Sequence, residues 1–122
     1  MIVMNGDAVL ADNVRIADSF MMRLMGLMGK RSLETGEGLF LENCSSIHCF
    51  FMMIPIDAVY LSKDMTVLST QTVHPWHIGK WVSGTRHILE LGAGEAAAIT
   101  KGARIRINSE QYERSDDYGR GH

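Results

Sequence analysis

Cysteine is scarce in this chain of 122 residues: there are two, Cys44 and Cys49, close together. The opening stretch, Met1-Ile-Val-Met-Asn-Gly-Asp7, carries an acidic residue where a signal peptide has basic ones, and its apolar run breaks at Asn5. With no export signal expected, a structural disulfide has little support, reduced thiols are the expectation, and the location expected is cytoplasmic. Long apolar runs are missing as well. The best, Ile47 to Ile56, is interrupted by His48 and Cys49 and falls far short of the ~20 residues a membrane-crossing helix needs, so no membrane span is expected. There is no excess of cations: 12 Lys and Arg stand against 14 Asp and Glu, which makes nucleic acid a poor partner because a phosphate backbone has to be neutralised. Also absent are a glycine-rich phosphate loop, a glycosidase-like carboxylate pair, a serine in a nucleophile elbow, an internal repeat and any low-complexity segment.

What remains is an ordinary globular composition, 46% hydrophobic and 21% charged, of a length suited to one domain. A single β-rich domain over 1–108 is expected, followed by a polar, flexible C-terminal tail over 109–122. Ile2 to Met4 and Ala8 to Ile16 read as strands joined at Asn5-Gly6-Asp7, because Asn-Gly supplies the positive φ a tight hairpin needs. Asp18 or Ser19 can cap a short helix with Phe20, Leu24 and Leu27 or Met28 on one face and Gly29 as its stop; Gly26 within it suits close approach of a neighbouring strand. Leu39 to Leu41 reads as a strand. Ala58 to Leu61 and Thr66 to Thr72 flank a turn at Ser62 to Met65, the clearest hairpin in the chain. Val73 to Gly84 has no clean period and is long for a connection. His87 to Leu91 reads as a strand, Gly92-Ala-Gly94 as a turn, Glu95 to Ile99 as one or two helical turns, and Ala103 to Ile107 as a closing strand. The expected class is α+β, mainly β: a small partly open β-barrel or folded mixed sheet with one or two short helices.

Reactive side chains are densest at Cys44-Ser-Ser-Ile-His48-Cys49, with Met52, Met53 and Asp57 following. A thiol beside an imidazole yields a thiolate nucleophile, and a carboxylate can orient the ring, so Cys44, His48 and Asp57 supply the types a hydrolase or acyl transferase uses. The spacing of four between thiol and imidazole is unusual, since nucleophile and base normally come from separated segments. Cys44, His48, Cys49 and Met52 would equally suit copper(I) or zinc, although Cys-x4-Cys matches no zinc knuckle. The plainer alternative makes both cysteines small buried apolar residues and lets His48 tie a loop to the backbone. Met21, Met25 and Met28 read as core filler. His74-Pro75-Trp76-His77 is the kind of loop that recognises a small molecule or peptide, or else Trp76 closes one end of the core. Arg23, Asp57 and Glu90 are charges inside apolar segments, for which pairing or solvent is the usual answer.

The chain resembles the prokaryotic domain-of-unknown-function family 192 from about Ala8 to Ile107. The residues that carry the likeness are Arg23-Leu-Met-Gly-Leu-Met28, Gly36-Glu-Gly-Leu39, Asn43-Cys-Ser-Ser-Ile-His48, Phe51-Met52, Pro55-Ile-Asp57, Pro75-Trp76 and Leu89-Glu-Leu91 followed by Gly94. The resemblance implies a β-rich α+β fold and no particular reaction, and it places Ser46, His48, Met52 and Asp57 at signature positions. Cys49 stands where the family usually has threonine, which argues against a two-cysteine metal site shared by its members. The leading expectation is a non-catalytic binding or accessory module that holds a small molecule or peptide with Ser46, His48, Met52, Asp57 and Trp76. No cofactor is expected. The alternatives are a Cys/His hydrolase or acyl transferase and a soft-metal carrier.

Overall fold

The computed structural model of the chain describes residues 1–17, 35–45 and 54–108. Eight strands account for the regular structure of the described residues: β1 (Ile2–Asn5), β2 (Ala8–Ala11), β3 (Asn13–Ala17), β4 (Glu37–Leu41), β5 (Ile56–Leu61), β6 (Val67–Val73), β7 (His87–Gly92) and β8 (Ile105–Asn108). They form two sheets, one of three strands in the order β2-β1-β8 and one of five in the order β3-β4-β7-β5-β6. Every neighbouring pair is antiparallel except β3 with β4.

The first hairpin forms with Asn5 opposite Ala8 and Gly6 at a φ of 63°, so the glycine occupies the first central position of the turn. The continuous strand expected from Ala8 to Ile16 is two strands. Asp12 and Asn13 both donate their amides to the carbonyl of Gly36, and this anchor sends β2 to one sheet and β3 to the other. The β5–β6 hairpin turns at Ser62 to Met65, where Met65 adopts a φ of 71° and its amide donates to the Ser62 carbonyl.

The side-chain period of two sorts β5 and β7 between two cores. Val59, Leu61, Leu89 and Leu91, with Val14 and Phe40, face the three-stranded sheet and meet Val3, Ala11 and Ile105 there. Ile56, Ala58, Tyr60 and Ile88, with Leu39 and Leu41, face the opposite way and pack with Cys44, Ile54 and Val73. All six residues of β5 are buried, the pattern of a strand covered on both faces. Gly38 on β4 is required by close approach: a Cβ there would stand 2.9 Å from the Glu90 carbonyl oxygen and 3.0 Å from Leu91 Cδ2.

The α+β and β-barrel expectations are corrected by this architecture. Neither sheet closes on itself, and no helix occurs among the described residues. The segment Glu95 to Ile99, expected as helical turns, is a chain of tight turns in which Glu95, Ala97 and Ile99 donate to the carbonyls three residues back, at Gly92, Gly94 and Ala96. Five residues offer too few hydrogen bonds to repay helix nucleation, and Gly94 at a φ of 92° breaks the helical path at its start. The helix expected after Asp18 lies outside the described residues. No helix among the described residues is long and apolar enough to cross a membrane.

Candidate functional site

Asp57 follows the first residue of β5, opposite Thr72 on β6 and Leu91 on β7. Its side chain is 5% exposed, which would be costly for a carboxyl without partners. Partners are present on both oxygens. Thr72 Oγ1 donates to Oδ1 at 2.6 Å, and the amides of Gly94 and Ala96 donate to Oδ2 at 2.9 and 3.0 Å. The carboxyl therefore ties the turns after β7 to the β5–β6 edge of the sheet.

Beside this junction the surface sinks into an open hollow of about 360 Å³. Asp57, Thr70 and Thr72 line one side, and Gly94, Ala97 and Ile99 the other. The hollow lies along β6, the last strand of its sheet. At its start β6 is covered, because the Val67 amide donates to the Ala103 carbonyl and Val67 accepts from the Gly102 amide. From Leu68 to Thr72 no backbone group of the described residues pairs with its outer side. Gln71, in mid-strand, accepts through Oε1 from the Tyr60 hydroxyl at 3.0 Å and from the Lys80 amide at 2.8 Å, which fastens the following loop to the opposite face of the sheet.

The other residues singled out from sequence do not gather at Asp57. Cys44 is buried in the core on the far side of the five-stranded sheet, with its amide donating to the Arg86 carbonyl. Trp76 is 66% exposed in the loop beyond the end of β6 and does not line the hollow. Ser46, His48, Cys49, Met52 and Met53 lie outside the described residues. Among the described residues no three His, Cys, Asp or Glu side chains are grouped to hold a metal ion.

Two groups of chemical interest escaped the sequence reading of sites. Thr72 and the Gly94 and Ala96 amides carried no signal, since nothing local shows that a turn 39 residues downstream will donate to Asp57. In the sequence Glu90 is only one charge within an apolar segment. It lies on β7 between Leu39 of β4 and Ala58 of β5, 4% exposed, and burial pushes its carboxyl from an ordinary 4.5 up to about 8.

Known proteins resemble the chain both in sequence and in fold. A UPF0127 protein of Pyrococcus horikoshii is 39% identical over 86 residues, which cover 63% of this chain and 70% of that protein. A UPF0127 protein of Thermococcus sibiricus is 30% identical over 90 residues, 70% of this chain and 58% of its own length. Among solved structures, a protein of unknown function from Novosphingobium aromaticivorans superposes with a TM-score of 0.74 at 19% identity, covering 87% of this chain and 82% of that one. A candidate transcription regulator from Sinorhizobium meliloti superposes with a TM-score of 0.66 at 21% identity, covering 76% and 79%. At such identities the likeness concerns the fold alone. The model of domain-of-unknown-function family 192, described as an uncharacterized ACR, matches residues 1–107. On that match, and on the motifs that run from Arg23 to Gly94, the chain belongs to this family.

Proposed function

We propose that the protein is a non-catalytic binding module that takes an extended peptide segment along the outer edge of β6. The observation that carries this reading is the coincidence of that edge, open among the described residues from Leu68 to Thr72, with the hollow beside it. Strand addition draws its affinity from main-chain hydrogen bonds and its selectivity from pockets that accept alternate side chains. The edge supplies the former, and the hollow between Thr70, Thr72, Ala97 and Ile99 supplies one such pocket. Asp57 then acts as the fastener that holds the hollow's two walls together, and its own oxygens are already taken by three donors. For the same reason the Cys44, His48 and Asp57 hydrolase reading draws less support, as it asks Asp57 to orient an imidazole and sets Cys44 across the sheet from it.

Selection of randomised peptides against the folded chain, followed by amide chemical-shift mapping of the retained sequences, tests the proposal. Shifts concentrated at Leu68 to Thr72 and at Ala96 to Ile99 are expected. Failure to enrich any peptide, or shifts confined to other strands, would remove the reading.

A further inference from the structure

Two imidazoles stand together on the loop after β6. His74 and His77 take the first and fourth positions of a tight turn in which the His77 amide donates to the His74 carbonyl at 3.1 Å. Pro75 holds the second position, and Trp76 the third at a φ of 68°. Proline followed by a positive φ makes this a type II turn, which draws its two ends within about 7 Å of each other. The rings follow the backbone. Their centroids are 6.3 Å apart with the planes inclined at 73°, and both side chains are exposed.

The proton on His77 is placed by its neighbour. Nδ1 lies 2.9 Å from the Pro75 carbonyl oxygen, and such an oxygen only accepts, so Nδ1 carries the hydrogen and Nε2 keeps its lone pair. A ring that donates one nitrogen to a backbone carbonyl and keeps the other unprotonated is the form in which histidine ligates metals, because the donated bond fixes the tautomer and raises the basicity of the second nitrogen. The loop that carries the turn is anchored further along, where Gly79 is buried and the Lys80 amide donates to Gln71 Oε1 at 2.8 Å.

The spacing fits one ion between the two rings. A nitrogen ligates at ~2.1 Å, which sets the ring centroid about 3.2 Å from the metal, so two rings on one ion have centroids about 4.5 Å apart at a right angle and about 6.4 Å apart when opposed. The observed 6.3 Å lies inside that span, and exposed rings can turn about their side-chain torsions to converge. The donor set decides which ion. No Asp or Glu occurs between Met65 and Leu89, and among the described residues no third His, Cys, Asp or Glu side chain joins the pair. Two neutral nitrogens without a carboxylate suit copper(II), nickel(II) or zinc, and not magnesium or calcium, which ask for oxygen.

We propose that His74 and His77 form a two-histidine site for a divalent late transition metal ion, with Nε2 of His77 as one ligand, an imidazole nitrogen of His74 as the other and water at the remaining positions. Copper(II) binds it tightest, as the order of divalent affinities requires. Pro75 and Trp76 supply the turn that keeps the rings together, and the Pro75 carbonyl orients His77. The site shares no residue with the Cys44, His48, Cys49 and Met52 set or with strand addition at β6, and each reading can fail alone.

Nickel(II) chloride titrated into the full chain, purified without a histidine tag, provides the test, because this paramagnetic ion broadens nearby amide resonances without oxidising thiols. Broadening that begins at His74 to Ile78 at micromolar nickel and saturates at one ion per chain is the expected result. Copper(II) should saturate the site at lower concentration, and magnesium should change nothing. His74→Ala and His77→Ala should each weaken binding by about tenfold or more while melting with the wild type, since both rings are exposed. Before any metal is added, ring nitrogen spectra should show His77 protonated on Nδ1. The wild-type broadening map locates the ion without help from any variant. The proposal is overturned if broadening starts elsewhere, at Met1 or His87 for instance, if it needs millimolar nickel, if the double variant binds as well as the wild type, or if His77 carries its proton on Nε2.

Discussion

Asp57 and Ala96 are 39 residues apart in the chain, and Oδ2 of the first accepts the amide of the second at 3.0 Å. Gly94 donates to the same oxygen, and Thr72 to the other. This one carboxyl fixes where the turns after β7 sit against β6, and the walls of the hollow with them.

Replacing it should therefore be felt in stability. Asp57→Ala strands the buried Ala96 amide and takes the acceptor from the Gly94 amide and the Thr72 hydroxyl, and is expected to cost about 2 kcal/mol in urea unfolding, while Asp57→Asn, which keeps one accepting oxygen, should cost about half of that. An alanine variant within about 0.5 kcal/mol of wild type would mean that the junction contributes nothing.

Glu90 should make the fold prefer acid. Its carboxyl ionises near 4.5 when unfolded but only at about 8 in the fold, so between those values the native state holds the extra proton. The stabilisation is complete below pH 4.5 and declines as pH rises to about 8, with a slope of up to about 1.4 kcal/mol per pH unit. Glu90→Gln, of nearly the same shape and never ionised, should lose that slope and exceed the wild type at pH 8 by an amount on the order of a few kcal/mol. Parallel stability profiles for the two proteins across this range would contradict the assignment.

His87 acts in the opposite direction. Burial lowers its pKa, helped by Arg86 and opposed by Glu42, and Nδ1 accepts the Asn43 amide at 3.0 Å, which fits the neutral ring with its proton on Nε2. The unfolded ring takes up a proton near its ordinary value while the folded ring resists, so this contribution is present above about pH 6.5 and is lost as pH falls below it. Nitrogen-correlated NMR spectra should show the Nε2–H tautomer and a depressed midpoint; a midpoint at or above the ordinary value would be inconsistent with this arrangement.

Gly38→Ala probes the packing of β4 against β7. The added methyl would meet the Glu90 carbonyl oxygen at 2.9 Å, a backbone atom in the neighbouring strand that cannot move without disturbing the ladder. A loss of about 2 kcal/mol is expected in thermal unfolding. A neutral result would show that β4 can shift away from β7.

The strands were largely legible because their signals are local. Alternating or continuous apolar runs with turn residues between them mark β5 and β6, and Gly6 marks the first hairpin. The division of Ala8 to Ile16 was hidden, since it depends on the carbonyl of Gly36. The helical reading of Glu95 to Ile99 failed for a related reason: alanine-rich composition favours helix, but the Gly94 and Ala96 amides are drawn to Asp57. Of the site residues, Asp57 was visible as a charge in an apolar segment, whereas its donors were not.

The amino-acid sequence alone determined the β-rich character, the kinship with family 192 and the long loop with its two tryptophans, because each is a property of neighbouring residues. Only the tertiary structure decided that Cys44 and Asp57 face opposite sides of one sheet, that β6 lies at its edge, and that Glu90 is shut away from water. Those facts follow from strand order and register, which pair residues tens of positions apart and leave no trace in the composition of either segment.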